Sequence, residues 1–434
     1  MTTTLIIAGI TAALMVLSVL LKPYIYVKKL KIGLYWIICA AGAAAMLLSG
    51  RLSVADAWSG ITAPTAVNPL KILALFISMT LISVFLGDAG FFDVCADKVF
   101  RSAGGSQFKL FLTLYAVVAV LTVFTSNDII VLTFTPPICM FAAKAKVSPL
   151  SYLVGEFVAA NTWSMMLIVG NPTNIYLAGS AGITFAEYFS VMWLPAIGGG
   201  VASLAAMLLV FGKKLREPLC GGESAGNKPV TFRKIPLVVA LIHLIVCIVM
   251  LAVSYYIGVE MWIICVVLAA SLMVFNLIYD LVTQKSVRPV MQSVKKAPYE
   301  LIPFVLSMFV IVLALSECGF TSLAANCLSS GKKIDGVTFS FLSALTSNAL
   351  NNIPAAVLFE KITACGNLAA VYGAVIGSNV GAYITPVGAL AGIMWTNILG
   401  EYRVKMNFIK FTSVGLAAAI PTLLVASLML LIVL

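Results

Sequence analysis

Apolar residues dominate this chain in long runs, and polar positions fall mostly between them. A helix needs about 20 apolar residues to cross the hydrocarbon core of a bilayer. Runs near that length lie at residues 3–21, 33–49, 70–87, 150–183, 189–212, 236–257, 260–281, 299–316, 367–399 and 411–433. Two further stretches, 109–143 and 337–365, are apolar arms around a polar centre. The pattern predicts an all-α polytopic membrane protein with about ten spans. The two interrupted stretches are expected as re-entrant hairpins, and 150–183 and 367–399 as broken helices.

Charge orients this pattern. The strongest basic clusters are Lys22, Lys28, Lys29 and Lys31; Lys213, Lys214 and Arg216 with Lys228, Arg233 and Lys234; Lys285, Arg288, Lys295 and Lys296; and Arg403, Lys405 and Lys410. Cytoplasmic loops carry the excess of Lys and Arg, so both termini are expected outside, with Lys332 and Lys333 as exceptions. Lys109 on one side, and Lys144 and Lys146 on the other, place both ends of 109–143 in the cytoplasm. Arms of about 16 residues reach roughly 24 Å and return, which puts "TSND", Thr125 to Asp128, at a tip inside the membrane. Such non-helical backbone needs protein or a water-filled cavity around it.

The polar words recur in order. "TSN" at Thr125–Asn127 returns as "TSN" at Thr346–Asn348, and "NTWSMMLIVG" from Asn161 is matched by "NVGAYITPVG" from Asn379. The chain reads as a duplication, with a first repeat over 1–212, a cytoplasmic linker over 213–235 and a second repeat over 236–434. The topology makes the copies inverted, an arrangement typical of secondary transporters.

Composition excludes other classes. With 62% hydrophobic residues, 10% charged ones and a mean hydropathy of +1.09, the chain is no soluble domain. Its net charge of +11 sits in loop clusters without a basic, aromatic-interleaved stripe, so no nucleic-acid partner is expected. The nine cysteines are scattered singly, which indicates neither a disulfide framework nor a zinc site, and no cofactor is expected. One histidine and no HExxH motif argue against an enzyme. The opening run lacks a basic start and a small-residue cleavage site, so it is expected to be a first span.

The breaks carry the chemistry. Helix ends there present unpaired N–H groups and a positive dipole end, which suits an anion or a hydroxylated neutral solute. The candidate substrate-binding residues are Ser126, Asn127, Asp128, Asn161, Asn171, Thr173, Asn174, Ser347, Asn348, Asn351, Asn352, Asn379 and Thr385. Asp128, with the carbonyls near Gly170 and Gly388, is the candidate site for a coupling ion. Asn and Thr at helix ends also serve as plain caps. Asp128 is the one acidic side chain at the breaks, and a carboxyl within a membrane is by default functional, as a proton carrier or cation ligand. Glu156 and Glu360 are expected nearer the interfaces, and His243 has no evident partner. Pro136 and Pro137 are expected to bend the returning arm.

These residues carry a family resemblance. "TSNDIIVLTFTPPI", "VGEFVAANTWSMMLIVGNPTNIYLAGSAGITFAEYF", "ALTSNALNNIPAAVL" and "VIGSNVGAYITPVGALAGIMW" together resemble the arsenite efflux permeases of the ArsB type. That family belongs to an ion transporter superfamily with dicarboxylate carriers and sodium/proton antiporters. The resemblance falls on Asn127 and Asp128 in the first hairpin, Asn351, Asn352 and Pro354 in the second, and Asn379, Gly381, Gly388 and Leu390 in the last broken helix. Ile129 and Ile130, and the "AYIT" after Gly381, depart from the arsenite pattern, while "GNPTN" is similar to the G-T-P-P-N of dicarboxylate carriers. The resemblance implies an elevator-type carrier in the cell membrane, as in a bacterial inner membrane, and a possible homodimer. It implies arsenite or antimonite efflux coupled to protons. The alternatives are a sodium-coupled citrate-like carrier, a sodium/proton antiporter and, in another class, a passive channel. The solute is a small anion or a neutral oxyanion acid, and H+ or Na+ is the coupling ion.

Overall fold

The structure is a computed structural model that describes residues 1–21, 24–27, 30–64, 68–102, 104–218, 232–364, 367–406 and 408–434. Lys22, Lys28, Lys29 and Lys228, much of the expected linker and the end of the second hairpin at Cys365 lie outside the described residues.

Helix α1 (Thr2–Leu21) leads to an antiparallel ribbon of β1 (Tyr24–Val27) and β2 (Leu30–Gly33), with Tyr24 opposite Gly33. Among the described residues the fold is all-helical apart from this ribbon, whose four-residue strands between helices the hydropathy pattern does not mark. Helices α2 (Leu34–Leu48) and α3 (Val54–Thr62) follow, the latter capped by Ser53. Next comes α4 (Pro69–Asp88), where the Asn68 side chain accepts from the N–H groups of Leu70 and Lys71 and Pro69 occupies the first turn. Helix α5 (Phe91–Ser102) buries Phe92, Ala96 and Val99, one stripe at helical spacing. The first hairpin and broken helix comprise α6 (Gln107–Phe124), α7 (Asn127–Ala145), α8 (Leu150–Trp163) and α9 (Pro172–Ser180), with two 3₁₀ turns between the last two.

A capping box of Thr184 and Glu187 starts the 31-residue α10 (Phe185–Leu215). The second half runs through α11 (Lys234–Ile257), α12 (Met261–Gln284), α13 (Arg288–Lys295), α14 (Leu301–Glu317), α15 (Phe320–Leu328), α16 (Asp335–Leu350), α17 (Asn352–Thr363), α18 (Leu368–Gly381), α19 (Leu390–Glu401) and α20 (Phe408–Val433).

Seven of the described helices are long and apolar enough to cross a membrane, or eight if α14 and α15, bent by 76°, form one span. That is fewer than the ten expected. Helix α2 has 15 residues, and α3, α5, α13 and α15 are short pieces that hydropathy runs do not mark. The arms of the first hairpin are longer than expected, with 18 residues in α6 and 19 in α7. Capped by Ser106, α6 starts two residues before its apolar run, and Pro136 and Pro137 sit inside α7 without ending it.

Hydrogen bonds fix how these helices run. Tyr152 donates to Gln107 at 2.9 Å, start to start, and Thr122 donates to the Ala160 carbonyl at 3.0 Å, end to end, so α6 and α8 are parallel. Thr135 meets Glu156 at 3.1 Å and Asn127 meets Asn161 at 2.9 Å, so α7 is antiparallel to α8 and therefore to α6. The chain reverses at Thr125–Ser126. In the second half α16 and α18 are also parallel. Gly373, Gly377 and Gly381 face Gly336, Ser340 and Ala344, and a Cβ on Gly377 would stand 2.2 Å from the Ser340 carbonyl oxygen. Glycine at every fourth position lets the two backbones approach, as small residues do between membrane helices. Phe339 and Phe359 stack edge to face at 5.8 Å as α17 turns back along α16.

Candidate functional site

Each polar break is held by side-chain bonds that local sequence makes available. Asn171 caps α9 by accepting from the Thr173 N–H at 3.1 Å, and Pro172 occupies the first turn, where its missing N–H costs nothing. Gly170 is required: a Cβ there would lie 2.2 Å from the Ser164 carbonyl. Asn351 adopts φ +79°, a strained conformation for a non-glycine residue. Its Nδ2 donates to the Val387 carbonyl at 3.0 Å and the next N–H, of Asn352, donates to the Gly388 carbonyl at 2.9 Å, which hold the turn in place.

The first hairpin and the two broken helices join in one buried network, and the second hairpin bonds to the same broken helix beside it. Asn127 Nδ2 donates to Asn161 Oδ1, and Ser164 Oγ lies 2.9 Å from the Asn161 carbonyl and 2.8 Å from Asn379 Oδ1. Asn379 Oδ1 also accepts from Asn171 Nδ2 at 2.9 Å, while Asn379 Nδ2 donates to Asn174 Oδ1 at 2.6 Å. Ser378 donates to Thr173 at 3.1 Å. Two residues on, the Gly381 carbonyl accepts from Asn348 Nδ2 at 3.0 Å, and Thr385 donates to Asn348 Oδ1 at 2.6 Å. The candidate residues from both halves thus share hydrogen bonds, although they are separated by more than 200 positions.

Four tip atoms are buried without a hydrogen-bond partner: Ser126 Oγ, Asn127 Oδ1, Ser347 Oγ and Asn352 Oδ1. Ser126 stands at the N-cap of α7, yet its hydroxyl makes no capping bond. A buried polar atom left unpaired costs about 1–3 kcal/mol, so such atoms in an otherwise satisfied network are where a polar ligand gains most. The orientation of Asn127 is set by its neighbour. Asn161 donates its own Nδ2 to the Phe157 carbonyl at 2.8 Å, so its Oδ1 faces Asn127, and Asn127 turns its amide N–H there and its oxygen away.

Asp128 does not join this network. It lines a separate cavity of about 310 Å³ with Tyr35, Lys295, Glu300 and Met394, and among the described residues its carboxylate has no hydrogen-bond or ion-pair partner. Glu300, across that cavity, accepts from the Tyr35 hydroxyl at 2.9 Å and the Gly33 N–H at 3.2 Å. The Gly388 carbonyl is engaged by the Asn352 N–H.

One expectation is corrected here, that of His243. Glu156 and Glu360 are buried within the protein, Glu156 against the Thr135 hydroxyl and Glu360 beside Lys361 at 3.4 Å. Helix packing covers both, which distance from a run's end does not reveal. His243 has partners, the Val239 carbonyl at 2.8 Å and the Ser271 hydroxyl at 3.2 Å on the neighbouring α12. Tyr176, with an unpartnered buried hydroxyl on α9, lies in no repeated polar word and went unnoticed in the sequence, while Thr162, hydrogen-bonded to Tyr383 at 3.2 Å, stands inside "NTWSMMLIVG" but its hydroxyl beside Asn161 gives no signal of its own there.

Comparison with known proteins gives the family and the fold. The family model described as Citrate transporter (CitMHS) matches residues 31–370. An arsenical pump membrane protein of Escherichia coli is 28% identical over 447 residues, covering 97% of each chain. One from Yersinia enterocolitica is likewise 28% identical, over 97% of each chain. Among solved structures, the YdaH transporter of Alcanivorax borkumensis is similar in fold, with a TM-score of 0.54, 14% identity, and coverage of 99% of this chain and 97% of that one.

Proposed function

Since this chain belongs to the CitMHS citrate-transporter family and is also similar to arsenical pump membrane proteins, we propose that it exports a neutral oxyanion acid, arsenite or antimonite, in exchange for protons. Four unpartnered tip atoms carry the choice of solute. Two are amide oxygens, which only accept, and two are hydroxyls, which accept or donate. Arsenous acid brings O–H donors to them. A fully ionised carboxylate brings acceptors alone and meets no Arg or Lys in the network, so neutrality favours the trihydroxy acid.

Inverted repeats give that site two-sided access. The α6–α7 hairpin with α8–α9, and the α16–α17 hairpin with α18–α19, repeat the same order around the shared network, and parallel pairs α6/α8 and α16/α18 recur. In this reading the hairpins and broken helices move as a unit past α4, α11, α12 and α14. Asp128, at the hairpin tip but facing its own cavity, carries the proton, so the driving ion and the solute use adjacent, separate surfaces. Sodium-coupled citrate carriage is the second reading, favoured by the description of the family model.

Everted vesicles test the proposal. A proton gradient is expected to drive arsenite accumulation that a protonophore abolishes and sodium removal leaves intact, with counterflow accelerating labelled uptake. Sodium-dependent citrate uptake without arsenite uptake would establish the second reading. Uptake without counterflow would mark a channel.

A further inference from the structure

Three sulfur atoms meet outside the polar network. Cys247 on α11 lies 3.8 Å, sulfur to sulfur, from Cys265 on α12, and 3.5 Å from the thioether of Met79 on α4. Both cysteines are fully buried. A cavity of about 430 Å³ opens over the same three helices, with Leu75, Ser254 and Met261 in its wall. Leu75 stands one helical turn from Met79, Met261 one turn from Cys265 and Ser254 two turns from Cys247, each on the face that carries the sulfur. The wall is largely apolar, and it ends one turn short of Met79 and Cys265 and two turns short of Cys247, none of which lines it.

We propose that this sulfur trio is a capture site for trivalent organoarsenicals, separate from the transport network. Two thiols at this spacing chelate one thiophilic atom, and soft thiolate and thioether ligands together select soft acceptors. The step balances without a redox partner. An R–As(OH)₂ species condenses with the Cys247 and Cys265 thiols to form two As–S bonds. Two As–O bonds break, and both thiol protons leave with the oxygens as two waters. The organic group R occupies the apolar cavity, and Met79 closes the third side. Cys39 supplies the contrast: its sulfur lies 3.6 Å from the thioether of Met15, but it offers one thiol only and cannot chelate.

Phenylarsine oxide is the probe. Full-length protein in detergent is incubated with it, denatured, alkylated with a maleimide and read by mass spectrometry. The expected result is one retained arsenical, with Cys247 and Cys265 protected together from the maleimide. Cys247→Ala and Cys265→Ala each lose that adduct, Cys39→Ala keeps it, and Asp128→Asn keeps it while its transport changes. A protein retaining only Cys247 and Cys265 among its cysteines still binds one equivalent. The probe also raises the melting temperature of the wild type and leaves that of Cys265→Ala unmoved. Equal maleimide reactivity of the two thiols with and without probe, or an adduct that survives in Cys247→Ala, overturns the site, whichever solute the carrier moves.

Discussion

Asn379 on α18 donates its side-chain amide to the Asn174 oxygen on α9 at 2.6 Å, and this bond ties the two broken helices of the opposite halves together. Asn379 also accepts from Ser164 and Asn171. In Asn379→Ala the Asn171 amide and the Asn174 oxygen are stranded in a buried site, at about 1–3 kcal/mol each. A clear fall in melting temperature is expected, together with lost transport. A variant that melts with the wild type would show that water replaces the bonds.

Asn127 and Asn348 share the "TSN" word but neither position nor bonding: Asn127 opens the returning arm α7, whereas Asn348 lies in the last turn of the outgoing arm α16, whose chain breaks only at Asn351. Asn127 holds an unpartnered oxygen, whereas Asn348 is fully engaged by Ala344, Gly381 and Thr385. Asn127→Ala is therefore expected to weaken arsenite transport by about 1–3 kcal/mol, roughly fivefold to 150-fold in apparent affinity. Asn348→Ala is expected to lower stability first. Initial-rate uptake and thermal melting of both variants separate the two effects, and equal behaviour of the pair would count against this assignment.

Asp128→Asn preserves shape at the hairpin tip and removes a titrating group from the 310 Å³ cavity. Net proton-driven transport is expected to collapse while solute exchange persists, since exchange needs no proton turnover. Unchanged net transport with unchanged pH dependence would reduce Asp128 to a helix-start carboxylate. Partial rescue by raised sodium would assign it to a sodium site.

Glu260, in the short connection between α11 and α12, accepts from the Lys71 ammonium at 2.6 Å, which holds its carboxyl below the usual range. A depressed value means that the pair stabilises the fold above the unfolded carboxylate range. That contribution is lost as pH falls through the folded value. Glu260 is about half exposed, so Glu260→Gln is expected to cost under about 1 kcal/mol at neutral pH. The melting difference from wild type should vanish in acid. A difference that grows in acid would refute the pairing.

Gly377→Ala places a methyl 2.2 Å from the Ser340 carbonyl oxygen and forces α18 away from α16, at about 1–3 kcal/mol. Gly212→Ala, with nothing within 4 Å, serves as the silent control. Melting temperatures of the two variants should differ accordingly, and equal values would mean that the helices are not in close contact.

Hydropathy was sufficient for an all-helical polytopic membrane fold, and the repeated polar words marked residues of both halves that the structure joins by hydrogen bonds. The medium imposes run length on a spanning helix, and "TSN" or "GNPTN" inside an apolar run is too costly to be incidental. Short elements escaped that reading. The strands at Tyr24–Val27 and Leu30–Gly33 and the one-stripe helix Phe91–Ser102 take their stability from what they pack against. Partnership was a matter for the tertiary structure alone. Asn127 and Asn348 close the same "TSN" word, yet one keeps a free acceptor and the other is saturated, because the chain breaks before Asn127 but after Asn348, and Gly381 and Thr385 approach only the second. Asp128 follows Asn127 directly, but neighbouring side chains on a helix diverge by about 100°, so it faces another cavity. Cys247, Cys265 and Met79 are scattered singly along the chain, and only the packing of three helices brings their sulfurs together.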